Sequence, residues 1–451
     1  MKRILLLVTG VAALLGGGWV LNDRASFDRA YWLADYEQLR SATEQSYANL
    51  RWSRTSKQVD LVALNANTLR ELQRATSNSA ARRALANFVR GFNDGHLRIE
   101  TTPPKPLAVV LNLFQRDSET GPLDFAAAPA EACGALGFGR KQHELSVTGA
   151  TPLHQNTFAS GLLTTPGGRQ FGVIRIPLFQ QREYGATCET AWESFRKGRS
   201  GSCDETCQEQ FEAYAKQEIA QALADDANAL LKRGAETVII DLTANGGGTE
   251  WAEYAAAALS AQPLRPNGTA FVRGRHWLQH FDEDLRTAAG TARGDLLAMR
   301  DSASRMCDLS ALWTDPQAQP SCWNDVRLSP AVHTAEQHTY ARPYRGRLLI
   351  MTDQHTASAS EQFAAILVDN GIAKTIGERT MGVGCGYTNG GNPTTLKHSG
   401  LVIRMPDCVR LRADGGNEFE GIRPDYPVPW GGDEGAKTRA LLTALEGLPA
   451  R

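Results

Sequence analysis

The sequence predicts an α/β protein with a mostly parallel β-sheet covered by helices, and a small helical domain before it. Short, continuously apolar runs such as "ETVIIDL" and "GRLLIMTD" are typical of strands that are buried on both faces. A helical pattern follows each of these runs, which predicts strand–helix–strand units. The first part of the chain shows helical periodicity without such strands, and this predicts the separate N-terminal domain.

The helical domain is expected over residues 26–95. Its helical runs carry large apolar side chains at helical spacing, including Trp32 and Phe88. It ends in "FNDGHLRIE", where the Asn-Asp-Gly sequence favours a turn and "HLRIE" predicts the start of a strand. Residues 96–168 follow as a loop-rich connecting region, because the prolines of "TTPPKP" interrupt regular structure.

The α/β core is expected over residues 169–451. "FGVIRIPLF", "ETVIIDL" and "GRLLIMTD" predict strands, and "QEQFEAYAKQEIAQALADDANALLKRG", "WAEYAAAALSA" and "ASEQFAAILVDNG" predict helices. Their alternation along the chain favours a parallel sheet with helices on both faces. An insert at about residues 266–343 interrupts this alternation.

Composition limits the classes of function. The chain has 451 residues, of which 42% are hydrophobic and 22% charged, as is usual for a soluble globular protein. Its formal net charge is -1, so the sequence carries no basic footprint for nucleic acid.

The N-terminus predicts export. Residues 1–25 begin with two basic residues, Lys2 and Arg3, and continue as an apolar run from Ile4 to Leu21. This pattern is that of a signal peptide or of an uncleaved membrane anchor, and the two alternatives stay open. Either one would place the rest of the chain in the periplasm or anchored to the membrane facing it.

The cysteines agree with an oxidising compartment, because their number is even. Cys203 and Cys207 have a spacing that metal ligands also use, but no second pair completes a site, so disulfides are favoured. Local pairs such as Cys307 with Cys322 and Cys385 with Cys408 are candidates, although the sequence does not fix the pairing. The eight cysteines are Cys133, Cys188, Cys203, Cys207, Cys307, Cys322, Cys385 and Cys408.

Two loops follow predicted strands and open into predicted helices, where α/β proteins bind ligands. The first, "DLTANGGGTEW", contains Gly246 to Gly248, whose N–H groups could hold an anion or simply form a flexible connection. The second, "TDQHTASASEQ", carries Ser358 and Ser360 at a helix start. A serine there is either a nucleophile or a helix cap, and the stretch alone leaves both interpretations open.

Two other patterns are weaker. "HWLQH" places His276 and His280 on one helical face near acidic residues, as a metal site would, but we favour a surface or packing role. "ACGALGFGRK" contains a string like the carboxylate-binding loop of a PDZ domain. The later PDZ signals are missing, so an ordinary loop and strand is expected instead.

Three stretches together resemble the C-terminal processing peptidases, a family that includes the tricorn core protease and the repeats of interphotoreceptor retinoid-binding protein. They are "VIIDLTANGGG", "MTDQHTASASEQFAAILVDNGIAKTIGERTMG" and "EFEGIRPDYPV", and they occur in the family's order and at roughly its spacing. The resemblance covers about residues 170–429 and extends more weakly to "FNDGHL". It implies a ClpP/crotonase-like core and a serine peptidase that acts on protein or peptide substrates without a cofactor.

The resemblance also implies roles for the two loops. Ser358 would be the nucleophile, with Ser360 packing beside it. Backbone N–H groups of Gly247 and Ala359 would form the oxyanion hole.

The base differs between branches of the family. One branch uses a lysine, but in "TMGVGCGY" Val383 occupies that position, and Lys374 lies too early. The tricorn-like branch uses a histidine in a short Asp-x-His turn, which "NDGHL" matches, so the resemblance implies His96 as the base.

The group that orients the base would be a glutamate. The tricorn-like pattern implies Glu418 in "EFEGIRPD", with Glu420 as the fallback. Gly95 departs from the tricorn pattern, which has a serine there that supplies one orienting hydrogen bond. A protein of this fold that only binds or scaffolds other molecules is the alternative to a peptidase, because the retinoid-binding repeats share the fold without peptidase activity.

Overall fold

The computed structural model describes residues 23–100, 123–153, 157–248, 251–265, 268–286, 288, 290–318, 320, 322–326, 340–387 and 393–449. Nearly all of the segment expected to be a signal peptide or anchor lies outside these residues. Among the described helices, none combines the length and the apolar character that crossing a bilayer requires. The chain divides into two compact units, which we describe separately.

In chain order, a run of helices comes first and is followed by strands and helices in mixed order. The helices are α1 (Arg29–Ser46), α2 (Leu50–Thr55), α3 (Leu61–Arg74), α4 (Asn78–Arg90), α5 (Pro129–Ala135), α6 (Gly185–Phe195), α7 (Glu205–Lys232), α8 (Trp251–Ala258), α9 (Arg275–Asp284), α10 (Gly290–Ser304), α11 (Ala359–Asp369) and α12 (Glu434–Glu446). The strands are β1 (Arg98–Ile99), β2 (Leu123–Asp124), β3 (Thr151–Pro152), β4 (Ala159–Thr164), β5 (Gln170–Arg175), β6 (Ser202–Cys203), β7 (Thr237–Asp241), β8 (Gly268–Val272), β9 (Trp323–Val326), β10 (Leu348–Thr352), β11 (Ala373–Gly377), β12 (Thr394–Thr395), β13 (Val402–Arg404), β14 (Val409–Leu411) and β15 (Tyr426–Pro427).

The first unit comprises residues 1–105, 270–325 and 385–409. Helices α1 to α4 confirm the helical pattern predicted for the N-terminal domain. Their shared core is aromatic, with Phe88 meeting Tyr36 and Phe92 edge to face at ring distances of 5.1 and 5.2 Å. Residues 270–325, which the sequence assigns to an insert in the core, therefore belong to the same compact unit as these helices.

The second unit comprises residues 106–269, 326–384 and 410–451, and it contains a seven-stranded sheet. The strand order is β15-β11-β10-β7-β5-β4-β3. All pairs from β5 to β15 are parallel, whereas β4 runs antiparallel to β5 and to β3. The mostly parallel sheet predicted from the alternation of apolar strands and helices is therefore confirmed.

Helices cover both faces of this sheet, because successive residues of a strand point to opposite sides. Ile174, Ile240 and Ile350 point to the face covered by α7, α8 and α11. Val173, Ile239 and Met351 point to the opposite face, where Leu441 and Leu445 of α12 pack. All six strand side chains are fully buried, which explains why these strands read as continuous apolar runs.

Four disulfides join the eight cysteines. They are Cys133–Cys188, Cys203–Cys207, Cys307–Cys322 and Cys385–Cys408. The two local pairs that the sequence put forward, Cys307 with Cys322 and Cys385 with Cys408, are both confirmed. The disulfide between Cys203 and Cys207 excludes the alternative that this pair binds a metal through thiolates.

Candidate active site

The glycine loop and the serine loop lie side by side because their strands are neighbours. β7 and β10 pair in parallel, with Leu348 opposite Val238 and Met351 opposite Asp241. Both strands therefore end at the same edge of the sheet, and the polypeptide continues from each of them toward a helix. Buried Asp241 fixes the first turn after β7, since its carboxylate accepts the Thr243 N–H at 2.9 Å and pairs with Arg175 at 3.1 Å.

Ser358 lies immediately before α11 in a conformation that few L-residues adopt. Its φ and ψ are 56° and -118°. Among the described residues, only four that are not glycine have positive φ, and three of these lie in the loops singled out by the sequence: Asn93, Ala244 and Ser358. Backbone strain of this kind persists where the surroundings enforce it, and it is concentrated at functional sites.

Asn245 connects the two loops. Its carbonyl oxygen accepts the Ala357 N–H at 3.0 Å and the Ser360 hydroxyl at 3.1 Å. Its side-chain amide donates to the Ile176 carbonyl at 2.8 Å. Ser360 is thus a buried donor that ties the start of α11 to the glycine loop, which distinguishes it from the more accessible Ser358.

Gly247 packs directly against Ser358. A Cβ atom at Gly247 would lie 2.7 Å from Ser358 Cβ and 3.0 Å from the Ala359 nitrogen, and its φ is +107°. Only glycine fits this approach without displacing the serine. The Gly247 N–H donates to Asn245 Oδ1 at 2.9 Å, so an oxyanion that binds here would share this donor with Asn245.

The Ala359 N–H is the first amide of α11. The first four amides of a helix have no partner within the helix, and they carry the positive end of its dipole. Ala359 N therefore presents a donor beside Ser358 and next to Gly247, which is the arrangement that an oxyanion hole requires.

Glu361 holds the start of α11 and the segment after β11 together. Its carboxylate accepts the Ser358 N–H at 3.0 Å, which is the glutamate half of a capping box. The same buried carboxylate accepts four further donors, which are the Thr380 hydroxyl at 2.6 Å and the N–H groups of Gly382 at 2.7 Å, Val383 at 2.9 Å and Gly384 at 3.4 Å. Helix capping and a candidate nucleophile therefore coexist at Ser358, and the capping carboxylate comes from Glu361.

The two residues discussed in place of a catalytic lysine have other roles. The Val383 side chain is buried, and its backbone N–H is one of the Glu361 donors. Lys374 is a largely exposed residue of β11 whose ammonium pairs with Asp425 at 2.8 Å. Neither residue provides an amine beside Ser358.

Glu418 is fully buried and paired with an arginine that the sequence did not single out. Arg410 Nε donates to Glu418 Oε2 at 2.6 Å, and the carboxylate side chain has no exposed surface. Arg410 Nη2 donates to the Ser358 carbonyl at 3.1 Å. Glu418 is therefore linked to the serine loop through the Arg410 side chain. Glu420, the fallback, is exposed.

His96 belongs to the first unit, whereas Ser358, Gly247, Ala359 and Glu418 belong to the second. The Asp94 carboxylate accepts the His96 N–H at 2.9 Å, which forms the short turn predicted from "NDGHL". Asp94 is itself held by the Tyr47 hydroxyl at 2.8 Å, and burial raises the pKa of its carboxyl. The imidazole packs on the backbone at Gly386, where a Cβ atom would lie 3.2 Å from His96 Nε2.

The weaker candidates have structural roles. His276 pairs with Asp407 at 2.8 Å and His280 lies 3.9 Å from Asp284. Within the described ranges, no group of three or more histidine, cysteine or acidic side chains could hold a metal ion. The string "ACGALGFGRK" differs from the expected loop and strand, because its first residues form the end of α5 and Cys133 is bonded to Cys188.

Sequence reasoning missed Arg410 and the connecting role of Asn245. Asn245 lies within the "NGGG" loop, so the sequence places it near the site. Its hydrogen bonds could not be predicted from the sequence. Arg410 lies 52 residues from Ser358, and a single arginine in a short strand has no periodic signal.

The chain matches one protein-family model and several solved structures. Residues 170–428 match the sequence model described as peptidase family S41. The structure of mature CPAF is similar with a TM-score of 0.54 at 15% identity, covering 93% of this chain and 97% of that one. The structure of mature CPAF complexed with lactacystin is similar with a TM-score of 0.54 at 14% identity, covering 93% of this chain and 96% of that one.

A third similar structure is a photosystem II D1 C-terminal processing protease, with a TM-score of 0.38 at 15% identity over 88% of this chain and 92% of that one. At these identities the structural likeness concerns the fold alone. No curated protein sequence matches the chain significantly.

Proposed function

The chain belongs to peptidase family S41, and on that premise we propose that it is an exported serine endopeptidase that uses Ser358, His96 and Glu418. The observation that carries the proposal is the conformation of Ser358, which lies at a helix N-terminus against Gly247 and beside the Ala359 amide. A hydroxyl is a weak nucleophile until a base accepts its proton, and a histidine is suited to that task near neutral pH.

The proposed reaction is acyl transfer in two stages. Ser358 Oγ attacks the peptide carbonyl carbon while its proton passes to His96. The oxyanion that forms is stabilised by the N–H groups of Ala359 and Gly247. The C–N bond then breaks, and His96 gives the proton to the leaving amine. The acyl group remains bound to Ser358 as an ester.

Hydrolysis of that ester repeats the sequence with water. His96 removes a proton from the water as it attacks the ester carbonyl, and the proton returns to Ser358 Oγ when the C–O bond breaks. Glu418 would orient the imidazole and stabilise its positive charge during both stages. Glu418 is preferred to Glu420 because its carboxylate is buried and fixed by Arg410.

Export is proposed from the cysteines and the N-terminal sequence. Four disulfides are characteristic of an oxidising compartment, and residues 1–25 have the pattern of a signal peptide or anchor. The periplasm, either free or at the membrane surface, is the compartment that these features favour. Protease accessibility in spheroplasts, compared with intact cells, tests this placement.

Peptide hydrolysis tests the activity. Purified protein with its disulfides intact is incubated with a peptide library, and new termini are identified by mass spectrometry for wild type and Ser358→Ala. We expect internal cleavage by wild type and none by the variant. Equal cleavage by both would overturn the assignment of Ser358. A folded wild type that cleaves nothing would favour the alternative of a binding or scaffolding protein.

A further inference from the structure

The Arg410 side chain links Ser358 to three other residues. Its guanidinium donates to four acceptors on four separate residues: Glu418 Oε2 at 2.6 Å, Gln362 Oε1 at 2.9 Å, the Gly384 carbonyl at 3.0 Å and the Ser358 carbonyl at 3.1 Å. Only 15% of the Arg410 side chain is exposed. We propose that Arg410 is a positioning residue for the peptidase reaction, one that fixes the Glu418 carboxylate relative to Ser358.

The geometry of the acceptors supports this role. Nε binds the carboxylate, while Nη2 binds the backbone of the nucleophile and the loop that ends at Gly384. A guanidinium is planar and presents its donors in fixed directions, so these contacts set the position of Glu418 against the Ser358 backbone. A lysine would offer a single charged point and could not satisfy all four acceptors.

The charge balance supports it as well. Glu418 and Glu361 are both fully buried. Burial raises the pKa of the Glu361 carboxyl, and the negative charge of Glu418 raises it further. A buried carboxylate that loses its cationic partner is strongly destabilised. Arg410 supplies that cation at Glu418, whereas Glu361 is satisfied by hydroxyl and amide donors.

A second arginine provides a matched control. Arg412 lies two residues further on and makes a two-pronged contact with Asp369, with its shortest N–O distance at 2.6 Å. Arg410 thus binds the N-terminal end of α11 and Arg412 its C-terminal end. Both hold the same helix, but the hydrogen bonds to Glu418 and to the Ser358 carbonyl come from Arg410, whereas those of Arg412 go to Asp369.

The inference rests on the proposed function, so the test measures both. We would compare Arg410→Gln, Arg410→Lys and Arg412→Gln with wild type, using kcat and KM for a cleaved peptide and thermal melting for each protein. A misplacement of about 1 Å in a catalytic group costs on the order of 10²-fold in rate, and this is the loss of kcat expected for Arg410→Gln. KM should change little, and Arg412→Gln should keep the wild-type kcat even if it melts earlier.

A double-mutant cycle separates positioning from general loss of stability. If Arg410 acts through Glu418, then Arg410→Gln should cost much less kcat in a Glu418→Gln background than in wild type. Additive losses, or equal kcat for Arg410→Gln and Arg412→Gln, would overturn the inference. Should Arg410→Gln fail to fold, Arg410→Lys decides, because a folded lysine variant with wild-type kcat also overturns it. A wild type without activity would overturn the proposed function and this inference together.

Discussion

Gly247 and Ser358 approach each other so closely that a single added carbon would separate them. A Cβ atom at Gly247 would lie 2.7 Å from Ser358 Cβ, and the glycine φ of +107° is unfavourable for any other residue. The glycine loop therefore restricts where Ser358, the proposed nucleophile, can lie, in addition to carrying the amide proposed for the oxyanion hole.

The Gly247→Ala variant should lose activity. The methyl group would displace Ser358 from the Gly247 and Ala359 amides, and we expect at least a 10²-fold loss of kcat, the cost of a misplacement of about 1 Å. Gly371→Ala is the matched control, since that glycine also has positive φ, +71°, but nothing lies within 4 Å of its Cβ position. Steady-state kinetics on both variants checks the prediction, and comparable losses in the two would point to backbone strain instead of displacement.

The His96→Gln variant should also be inactive while remaining folded. Loss of the base in comparable serine–histidine systems costs on the order of 10⁴-fold or more in kcat. Because the turn around His96 is held by its backbone N–H and Asp94, glutamine preserves that contact. His398→Gln is a suitable control, since His398 stacks on Tyr31 with ring centroids 4.4 Å apart. A His96→Gln protein that cleaves peptides at the wild-type rate would exclude His96 as the base.

The pH dependence of stability should contain a contribution from Asp226. Its carboxylate accepts the Phe158 N–H at 3.1 Å, and burial raises its pKa from 3.8 to about 7. The protonated form is the one that folding favours, so this contribution is fully present below 3.8 and is lost as pH rises through about 7. The loss amounts to at most about 4 kcal/mol in free energy of unfolding, because one pKa unit is worth about 1.4 kcal/mol.

Asp226→Asn checks that prediction through denaturant unfolding across the pH range. The free energy of unfolding of the variant should not show this decline with rising pH. The variant should therefore be more stable than wild type above neutral pH. Asp225→Asn serves as the control, since Asp225 is accessible and pairs with Arg342 at 2.8 Å. Parallel stability curves for wild type and Asp226→Asn would contradict the prediction.

The Cys385–Cys408 disulfide should support catalysis as well as stability. Its cysteines are 23 residues apart, and closure of a loop of that size contributes about 3 to 4 kcal/mol in the chain-entropy model. Cys385 directly follows Gly384, and Cys408 lies two residues before Arg410. Loss of the disulfide should therefore also loosen the hydrogen bond from Arg410 to the Gly384 carbonyl. Replacing both cysteines by serine should therefore lower kcat and the melting temperature together.

The Cys203–Cys207 pair provides the comparison. Its cysteines are only four residues apart, so the corresponding double serine variant should lose less stability and keep its kcat. Equal loss of kcat in the two double variants would show that the Cys385–Cys408 disulfide has no particular role at the site.

The sequence was most informative where the chemistry is local. Ile239, Ile240, Ile350 and Met351 are buried on both sides of a parallel sheet, so their strands read as continuous apolar runs, and the helices that follow could be recognised by periodicity. The loops after β7 and β10 could then be placed at the ends of two strands, where α/β proteins bind ligands. That these two strands are neighbours became evident only in the structure.

Long-range polar contacts were beyond sequence reasoning. The ion pair of Arg410 with Glu418 and the five bonds to Glu361 depend on side-chain placement after folding, which no spacing rule encodes. The same holds for Cys133 with Cys188, which are 55 residues apart, whereas the short Cys307–Cys322 and Cys385–Cys408 loops could be put forward in advance.

Labelling with a serine-reactive fluorophosphonate tests the central claim most directly. Wild type, Ser358→Ala and His96→Ala are treated in parallel, and the modified residue is located by mass spectrometry. We predict stoichiometric modification of Ser358 in wild type, none in Ser358→Ala and strongly slowed modification in His96→Ala. An unlabelled wild type, or a Ser358→Ala protein that labels as well as wild type, would contradict the account.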